Sequence, residues 1–243
     1  MFVTEDLKIF GSSNDLASGF AKFLSEKFIE ILNVKPSINI AISGGNTPNL
    51  LFKALSTEYK ENINWEKINF YWVDERCVPP GSPDSNFGNA YNFLFWKVKL
   101  SPANIYRIKG EDTPEEEAER YSFLVKNNIP EKNGMPCFDI ILLGIGQDGH
   151  TASIFPGQLA LFDSDKTYEV SVSPYTQQQR ITMTGKVINN AENIYIMVSG
   201  KQKSAVVNNI LNKTDDAARY PANRIAPING DMKVFLDKDA AEI

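Results

Sequence analysis

The chain has few of the residues that bind metals or form disulfide bridges. Its 243 residues include two cysteines, Cys77 and Cys137, and one histidine, His150. Two scattered thiols and one imidazole do not match the ligand spacing of a structural zinc site. A chain of this length also needs no disulfide to stabilise its core. We therefore expect no metal site, while a single disulfide stays open.

Long apolar runs and an excess of positive charge are also missing. No stretch reaches the roughly 18 apolar residues of a membrane-spanning helix, and the N-terminal segment MFVTEDLKIFGSS lacks the basic and apolar parts of a signal peptide. The net charge is −5, so no global basic field attracts nucleic acid or an anionic membrane. These features predict a cytoplasmic protein without nucleic-acid or membrane partners, in which local cations hold any anionic ligand.

No low-complexity linker, charge block or internal repeat marks a domain boundary. Strands are predicted at 38–43, 68–74, 138–146, 168–173, 180–184, 193–200 and 232–237, and helices at 14–33, 47–55, 113–127 and 201–211, with another beginning near Asn86. This alternation is typical of a mostly parallel sheet with helices on both faces. We predict one Rossmann-like α/β domain over residues 1–243.

Four unusual segments fall near the carboxyl ends of predicted strands, where ligands collect in open α/β sheets. The first, SGGNTP at 43–48, joins a strand to a helix. Its Gly44 and Gly45 let the backbone approach a ligand closely, and the helix N-terminus offers unpaired N–H groups to an anion. The segment is a candidate phosphate loop, although a tight strand-to-helix turn would explain the same residues.

The second segment is VDERCVP, in which Asp74, Glu75 and Arg76 directly follow a strand. Charged triplets are usually solvated loop residues, and we expect a loop here. The planar guanidinium of Arg76 nevertheless suits a phosphate or a developing oxyanion, and Asp74 is a candidate for substrate contact. For Cys77 we expect a small buried side chain, although a redox role stays open.

The third segment, LLGIGQDGHTASIFPG at 142–157, contains His150 two residues after Asp148. Asp148 is close enough in sequence to orient the imidazole or to stabilise its charged form. A histidine near a strand end is often structural, but a glycine-rich turn favours a catalytic role. The G-x-G-x-x-G pattern at 144–149 does not indicate a dinucleotide site, because Pro156 soon interrupts any following helix.

The fourth feature is a pair of cations, Arg180 at a strand start and Lys203 in the turn after VSG. Each alone would be an ordinary surface cation. Together with Arg76 they could supply the positive pocket that an acidic protein needs for an anionic ligand.

In this order, the segments resemble the 6-phosphogluconolactonases, in the wider group that includes glucosamine-6-phosphate deaminase. The matching segments are SGGNTP, VDERCVP with DSN downstream, FDIILLGIGQDGHTASIFPG, RITMTGKVINNA, VSGKQKSA and YPANRIAPINGDMKVFLD, which cover the chain from about residue 38 to its end. The resemblance implies a single α/β domain of the sugar-phosphate isomerase type. It also implies hydrolysis of 6-phospho-D-glucono-1,5-lactone to 6-phospho-D-gluconate, in the oxidative pentose phosphate pathway, without a metal or redox cofactor.

The resemblance also assigns residues to roles. It places the catalytic group at His150, Asp148 and Arg76, and the phosphate contacts at Ser43, Gly44, Gly45, Thr47, Arg180 and Lys203. Asn46 stands where these lactonases commonly carry serine, so a hydroxyl contact would be changed while the backbone geometry would remain.

A mechanism follows from these assignments. His150 would take a proton from the water that attacks C1 and return it to the ring oxygen, while Asp148 orients the imidazole. Backbone N–H groups of the glycine-rich turns, together with Arg76, would bind the oxyanion. The phosphate would anchor on the SGG turn and the two other cations, so that binding energy positions the lactone.

Two alternatives stay open. A deaminase or isomerase would need a further carboxylate soon after His150, and residues 151–155 contain none. A sugar-phosphate sensor would bind without hydrolysis and would not need the Asp148–His150 pair. We therefore expect a hydrolase whose substrate is a phosphorylated sugar lactone and which acts as a monomer.

Overall fold

The protein, described over residues 7–242 by a computed structural model, alternates strands with helices. Its strands are β1 Leu7–Phe10, β2 Ile38–Ile42, β3 Ile68–Trp72, β4 Asp74–Arg76, β5 Glu131–Lys132, β6 Met135–Pro136, β7 Ile140–Leu143, β8 Tyr168–Val172, β9 Gln179–Met183, β10 Asn193–Val198 and β11 Asp231–Asp237. Its helices are α1 Ser13–Leu32, α2 Asn46–Glu58, α3 Asn86–Phe93, α4 Pro114–Asn128, α5 Ala160–Asp163, α6 Gly185–Asn189, α7 Ser204–Leu211 and α8 Lys238–Ala241.

The main sheet is parallel. Within residues 7–242 it contains six strands in the order β1-β11-β10-β7-β2-β3. The central strands β7 and β10 are buried along their whole length, which is the pattern expected when both faces of a parallel sheet are covered. The predicted α/β class with a mostly parallel sheet is confirmed.

Helix α1 shows how sequence periodicity places a helix against this sheet. Apolar residues recur every three to four positions and are buried: Leu16, Phe20, Leu24, Phe28 and Ile31. The Phe20 ring stacks on Phe235 of β11 with 4.2 Å between centroids. Full burial of such a side chain contributes about 1.5–3 kcal/mol, so the apolar face of α1 fixes its position on the sheet.

The order of the strands creates a natural binding crevice between β2 and β7. From β2 the chain continues to its neighbour β3 on one side, whereas β7 leads to β10 and β11 on the other side. At such a switch point the connections leave in opposite directions, and the space beyond the carboxyl ends of the two strands stays open. Residues 43–45 follow β2 and residues 144–150 follow β7, so the fold brings these two segments together.

A smaller sheet corrects two predictions. Strands β4, β9 and β8 pair antiparallel, so the segments predicted at 168–173 and 180–184 do not extend the parallel sheet. Asp74, predicted as the end of the strand at 68–74, and residues 75 and 76, predicted as a loop, form the separate strand β4, which pairs Asp74 with Thr182 and Arg76 with Arg180. Alternating hydrophobicity identifies a strand but not its partner, and the three charged residues of β4 gave no such alternation.

Smaller differences concern short or irregular elements. The edge strand β1 was not predicted. It has four residues, LKIF, and is only partly buried, so its sequence lacks the continuous apolar run of a buried strand. The helix predicted at 201–211 divides into a 3-10 turn, Lys201–Lys203, and α7. Residues 1–6, which begin the segment examined for a signal peptide, and residue 243 lie outside the described residues. None of the helices in the described part has the length and apolar character needed to span a bilayer.

Candidate active site

A cavity of about 800 Å³ lies beyond the carboxyl ends of β2 and β7. All ten residues that the sequence predicts for the site line this cavity: Ser43, Gly44, Gly45, Thr47, Asp74, Arg76, Asp148, His150, Arg180 and Lys203. The fold therefore brings together residues that are up to 160 positions apart, counting from Ser43 to Lys203. Lining residues that the sequence did not reveal include Asn86, Ala152 and Tyr175.

The centre of the site is a hydrogen-bonded pair, Asp148 and His150. Nδ1 of His150 lies 2.5 Å from Oδ1 of Asp148, and the hydroxyl of Tyr175 donates to Oδ2 of the same carboxylate at 2.8 Å. Burial alone would raise the pKa of Asp148, but the hydrogen bonds from His150 and Tyr175 and the charge of the imidazolium lower it to about 2. Asp148 is therefore ionised at neutral pH.

The ionised carboxylate determines the tautomer of the imidazole. A carboxylate only accepts hydrogen bonds, so Nδ1 of His150 must carry the proton and donate it. Nε2 then holds the lone pair, and no group in the described part of the chain hydrogen-bonds to it. The imidazole ring also contacts Phe155, with 4.8 Å between the ring centroids. With Nδ1 bonded to Asp148, Nε2 is the ring nitrogen that can act as a base.

Glycines shape the turn that carries this pair. A Cβ atom on Gly146 would lie 2.1 Å from Nδ1 of His150, so only glycine fits there. Gly149 has a φ of +83°, a conformation that glycine adopts without strain. The N–H of Gly146 donates to the carbonyl of His150, and the N–H of Gly149 donates to that of Gly146. Since both groups are engaged, neither is free for the oxyanion that we expected the glycine-rich turns to bind.

Three cations line the cavity without an ion-pair partner among the described residues: Arg76, Arg180 and Lys203. The arginines elsewhere in the chain all form ion pairs with carboxylates: Arg107, Arg120, Arg219 and Arg224. Burial lowers the pKa of Arg180 and of Lys203, and nearby acidic groups offset this only in part. The Nε atoms of Arg76 and Arg180 are buried and unpaired. These cations have free capacity for an anion.

The loop after β2 offers backbone rather than side-chain donors. Gly45 caps α2 with a φ of +109°, and the first intrahelical hydrogen bond runs from Asn49 to Gly45. The N–H groups of Asn46 and Thr47 precede it and have no acceptor in the described part of the chain. Helix N-termini of this kind bind phosphate.

The two hydroxyls of this loop are engaged by the fold. Ser43 donates to the carbonyl of Leu142 at 2.8 Å, which joins the ends of β2 and β7. Thr47 shares a hydrogen bond of 2.8 Å with the hydroxyl of Ser199. The backbone N–H groups are therefore the donors of this loop that the fold leaves available, and Asn46 does not change them.

Asn86, which the sequence did not single out, connects three predicted residues. Its amide donates to the backbone carbonyl of Asp74 at 2.8 Å, and its Oδ1 accepts from Nη1 of Arg76 at 2.6 Å. A Cβ atom on Gly44 would lie 1.8 Å from the same Oδ1. Gly44 is therefore required for the close approach of Asn86. The downstream DSN segment was the only signal for this residue.

Asp74 is also held from the opposite side. The hydroxyl of Ser153 donates to its Oδ2 at 2.5 Å, and Nη1 of Arg180 contacts the same hydroxyl at 3.4 Å. The preceding residue, Ala152, lies in the left-handed region with a φ of +49°, which is uncommon for a residue with a Cβ. Ser153 thus fixes the carboxylate of Asp74 beside Arg180.

Glu75 faces away from the cavity and caps α3. Its carboxylate accepts hydrogen bonds from the backbone N–H groups of Asn86 at 2.7 Å and Phe87 at 2.8 Å. Burial raises the pKa of Glu75 to about 7, although these hydrogen bonds favour the ionised form. Glu75 is therefore not a solvated loop residue, and its role is to position the helix that carries Asn86.

The cysteines do not contribute to the site. Both are free thiols, which closes the question of a disulfide between them. Burial raises the pKa of Cys77 to about 11 and also raises that of Cys137, so little reactive thiolate exists at neutral pH. Residues 7–242 contain no group of three or more His, Cys, Asp or Glu side chains that could hold a metal ion.

Comparison with known proteins gives consistent matches over nearly the whole chain. The family model of glucosamine-6-phosphate isomerases and 6-phosphogluconolactonase matches residues 11–234. A 6-phosphogluconolactonase of Treponema pallidum is 41% identical over 187 residues, covering 77% of this chain and 78% of that protein. One from Haemophilus influenzae is 38% identical over 221 residues, covering 90% and 93%. The solved structure of the Trypanosoma brucei 6-phosphogluconolactonase superposes with a TM-score of 0.87 at 27% identity, covering 97% of each chain.

Proposed function

Because this chain belongs to the family of glucosamine-6-phosphate isomerases and 6-phosphogluconolactonases, we propose that it hydrolyses 6-phospho-D-glucono-1,5-lactone to 6-phospho-D-gluconate with His150 as the general base. One observation carries the proposal most directly. The same cavity holds an imidazole oriented by an ionised carboxylate and three cations that form no ion pair within residues 7–242. The imidazole can activate water, and the cations can bind the phosphate of the substrate.

In the first step, Nε2 of His150 takes a proton from a water molecule as its oxygen attacks C1 of the lactone. The imidazolium that forms is stabilised by Asp148, which already accepts from Nδ1. A positioned base of this kind contributes about 10²–10⁴-fold to the rate. The C1 carbonyl oxygen becomes the oxyanion of a tetrahedral intermediate.

We assign the stabilisation of this oxyanion to Arg76. Its Nη1 is held by the carbonyl of Asp84 and by Asn86, both neutral acceptors, and its Nε has no acceptor among the described residues. The intermediate collapses when the bond between C1 and the ring oxygen breaks. The imidazolium of His150 returns its proton to that oxygen, giving the C5 hydroxyl, and the new carboxylic acid then ionises.

The phosphate binds away from the reacting carbon. We assign it to the N–H groups of Asn46 and Thr47 at the start of α2 and to Arg180 and Lys203, which form no ion pair within residues 7–242. A sugar phosphate carries roughly −1.5 to −2 charges at neutral pH, so it would compensate the buried charge of both side chains. Anchored there, the lactone has its orientation set before reaction.

The related deaminase reaction fits the site less well. Among the described residues, the only carboxylate that contacts His150 is Asp148, and the residue that packs on its ring is the apolar Phe155. A non-catalytic sensor would not need an imidazole with a free Nε2.

The proposal extends to a monomer, because one chain supplies every predicted site residue. A cytoplasmic location and the lack of a nucleic-acid partner stay predictions from sequence.

One assay tests the proposal. Freshly prepared 6-phosphogluconolactone is followed with and without the protein, and spontaneous hydrolysis is subtracted. We expect rapid loss of lactone, and no release of ammonia from glucosamine 6-phosphate. Binding of 6-phosphogluconate without lactone hydrolysis would establish the sensor instead, and ammonia release would establish the deaminase.

A further inference from the structure

Tyr175 makes a contact with the catalytic pair that the proposed mechanism does not use. It lies in the turn between β8 and β9, and its side chain is largely exposed. Its hydroxyl nevertheless donates to Oδ2 of Asp148 at 2.8 Å, while Oδ1 of that carboxylate accepts from Nδ1 of His150 at 2.5 Å. Each oxygen of Asp148 therefore has its own side-chain donor.

The surroundings hold Tyr175 in this position. The turn closes through a hydrogen bond from the N–H of Ser173 to the carbonyl of Gln178 at 3.0 Å. The ring of Tyr175 meets Phe155 edge-on at 6.4 Å between centroids, and Phe155 in turn packs on His150. An exposed tyrosine that is fixed by both its ring and its hydroxyl is placed more firmly than a surface side chain needs to be.

Two donors on opposite oxygens restrict the rotation of a carboxylate. Without the tyrosine hydroxyl, the Asp148 side chain could turn its oxygens toward water, and its hydrogen bond to Nδ1 of His150 would weaken. The imidazole would then more often carry its proton on Nε2, which is the wrong tautomer for a base. The same hydrogen bond also affects the tyrosine, because accepting it lets Asp148 raise the pKa of the Tyr175 hydroxyl.

We propose that Tyr175 is a positioning residue, which locks the carboxylate of Asp148 so that Nε2 of His150 stays unprotonated and directed at the substrate water. The inference rests on the proposed function for its kinetic consequence. Its structural part, control of the imidazole tautomer, does not depend on which reaction the site performs.

Kinetics with Tyr175→Phe provide the first test, because this variant removes the hydroxyl and keeps the ring against Phe155. We expect kcat to fall about threefold to tenfold, the equivalent of one hydrogen bond, with KM unchanged. The matched control is Tyr91→Phe, which changes another partly exposed tyrosine outside the cavity and should leave both constants unchanged. A kcat for Tyr175→Phe within twofold of the wild type would overturn the inference.

Nitrogen-15 NMR provides a second test that is independent of activity. Since the chain has one histidine, its imidazole gives a single pair of ring nitrogen signals. We expect wild-type signals of the form protonated on Nδ1, and a measurable increase in the Nε2-protonated form in Tyr175→Phe. Identical spectra for the two proteins would also overturn the inference. If the wild type hydrolyses no lactone, the proposed function fails, and these spectra alone decide the role of Tyr175.

Discussion

Arg76 of β4 and Arg180 of β9 lie directly opposite each other in the small antiparallel sheet. Like charges in this arrangement destabilise a sheet, and burial together with the charge of Arg76 lowers the pKa of Arg180. Neither guanidinium has an ion-pair partner within residues 7–242. The fold therefore concentrates positive charge at the cavity, and the phosphate and the oxyanion of the proposed substrate would compensate it.

Replacement of His150 separates catalysis from binding. In His150→Ala we expect kcat to fall by about 10²–10⁴-fold, because the variant loses the general base. Binding of 6-phosphogluconate, measured by calorimetry, should stay close to that of the wild type, since the cations and the start of α2 are unchanged. A variant with near-normal turnover would exclude His150 as the base.

The cations assigned to the phosphate should affect KM more than kcat. For Arg180→Ala and Lys203→Ala we expect KM for the phosphorylated lactone to rise roughly tenfold to a hundredfold, the loss of a charge-assisted hydrogen bond. Lys201→Ala is the control, because Lys201 lies in the same turn, is exposed and does not line the cavity. Hydrolysis of unphosphorylated gluconolactone should be unaffected, and an equal loss with both substrates would contradict the assignment.

Most of the fold could be predicted from the sequence, because it rests on local signals, and the ten residues predicted for the site line one cavity. Buried strands such as β7 and β10 are continuous apolar runs, and the glycines that follow β2 and β7 mark turns at strand ends. What the local pattern did not determine was strand pairing. The charged strand β4 exists only because β9 supplies its hydrogen-bond partners from more than 100 residues further along the chain.

The residues that the sequence did not reveal act through contacts between distant segments. Asn86 and Ser153 look like ordinary polar loop residues, yet together they hold Asp74 from two sides. Tyr175 reaches Asp148 only because the hairpin of β8 and β9 brings it there. The matching segments contain Asn86 and Ser153 but do not show what they contact, since each contact depends on how the two sheets are placed relative to one another.

Asp148 should contribute to stability in a pH-dependent way. Its pKa is lowered from 3.8 to about 2 in the folded protein, so its ionised form stabilises the fold above pH 3.8. This contribution, on the order of 2 kcal/mol, is lost as the pH falls toward 2. In urea unfolding, Asp148→Asn should therefore be less stable than the wild type at pH 5, with a difference that shrinks between pH 4 and 2.

The control for this experiment is Asp112→Asn, since Asp112 is exposed and forms no ion pair within the described residues. We expect its unfolding free energy to follow that of the wild type at every pH. A difference between Asp148→Asn and the wild type that stayed constant down to pH 2 would show that the carboxylate gains nothing from His150 and Tyr175.

The close approach of Asn86 to the backbone of Gly44 predicts that a side chain at position 44 disturbs the site. In Gly44→Ala the new Cβ atom would lie 1.8 Å from Oδ1 of Asn86, whose side chain is buried and bonded to Asp74 and Arg76. Asn86 cannot move without releasing both residues, so we expect a loss of about 1–3 kcal/mol in unfolding free energy together with a lower kcat. The control is Gly81→Ala, where the added Cβ meets no atom within 4 Å. If Gly44→Ala matched Gly81→Ala in stability and turnover, Asn86 would not be the fixed support on which the position of Arg76 depends.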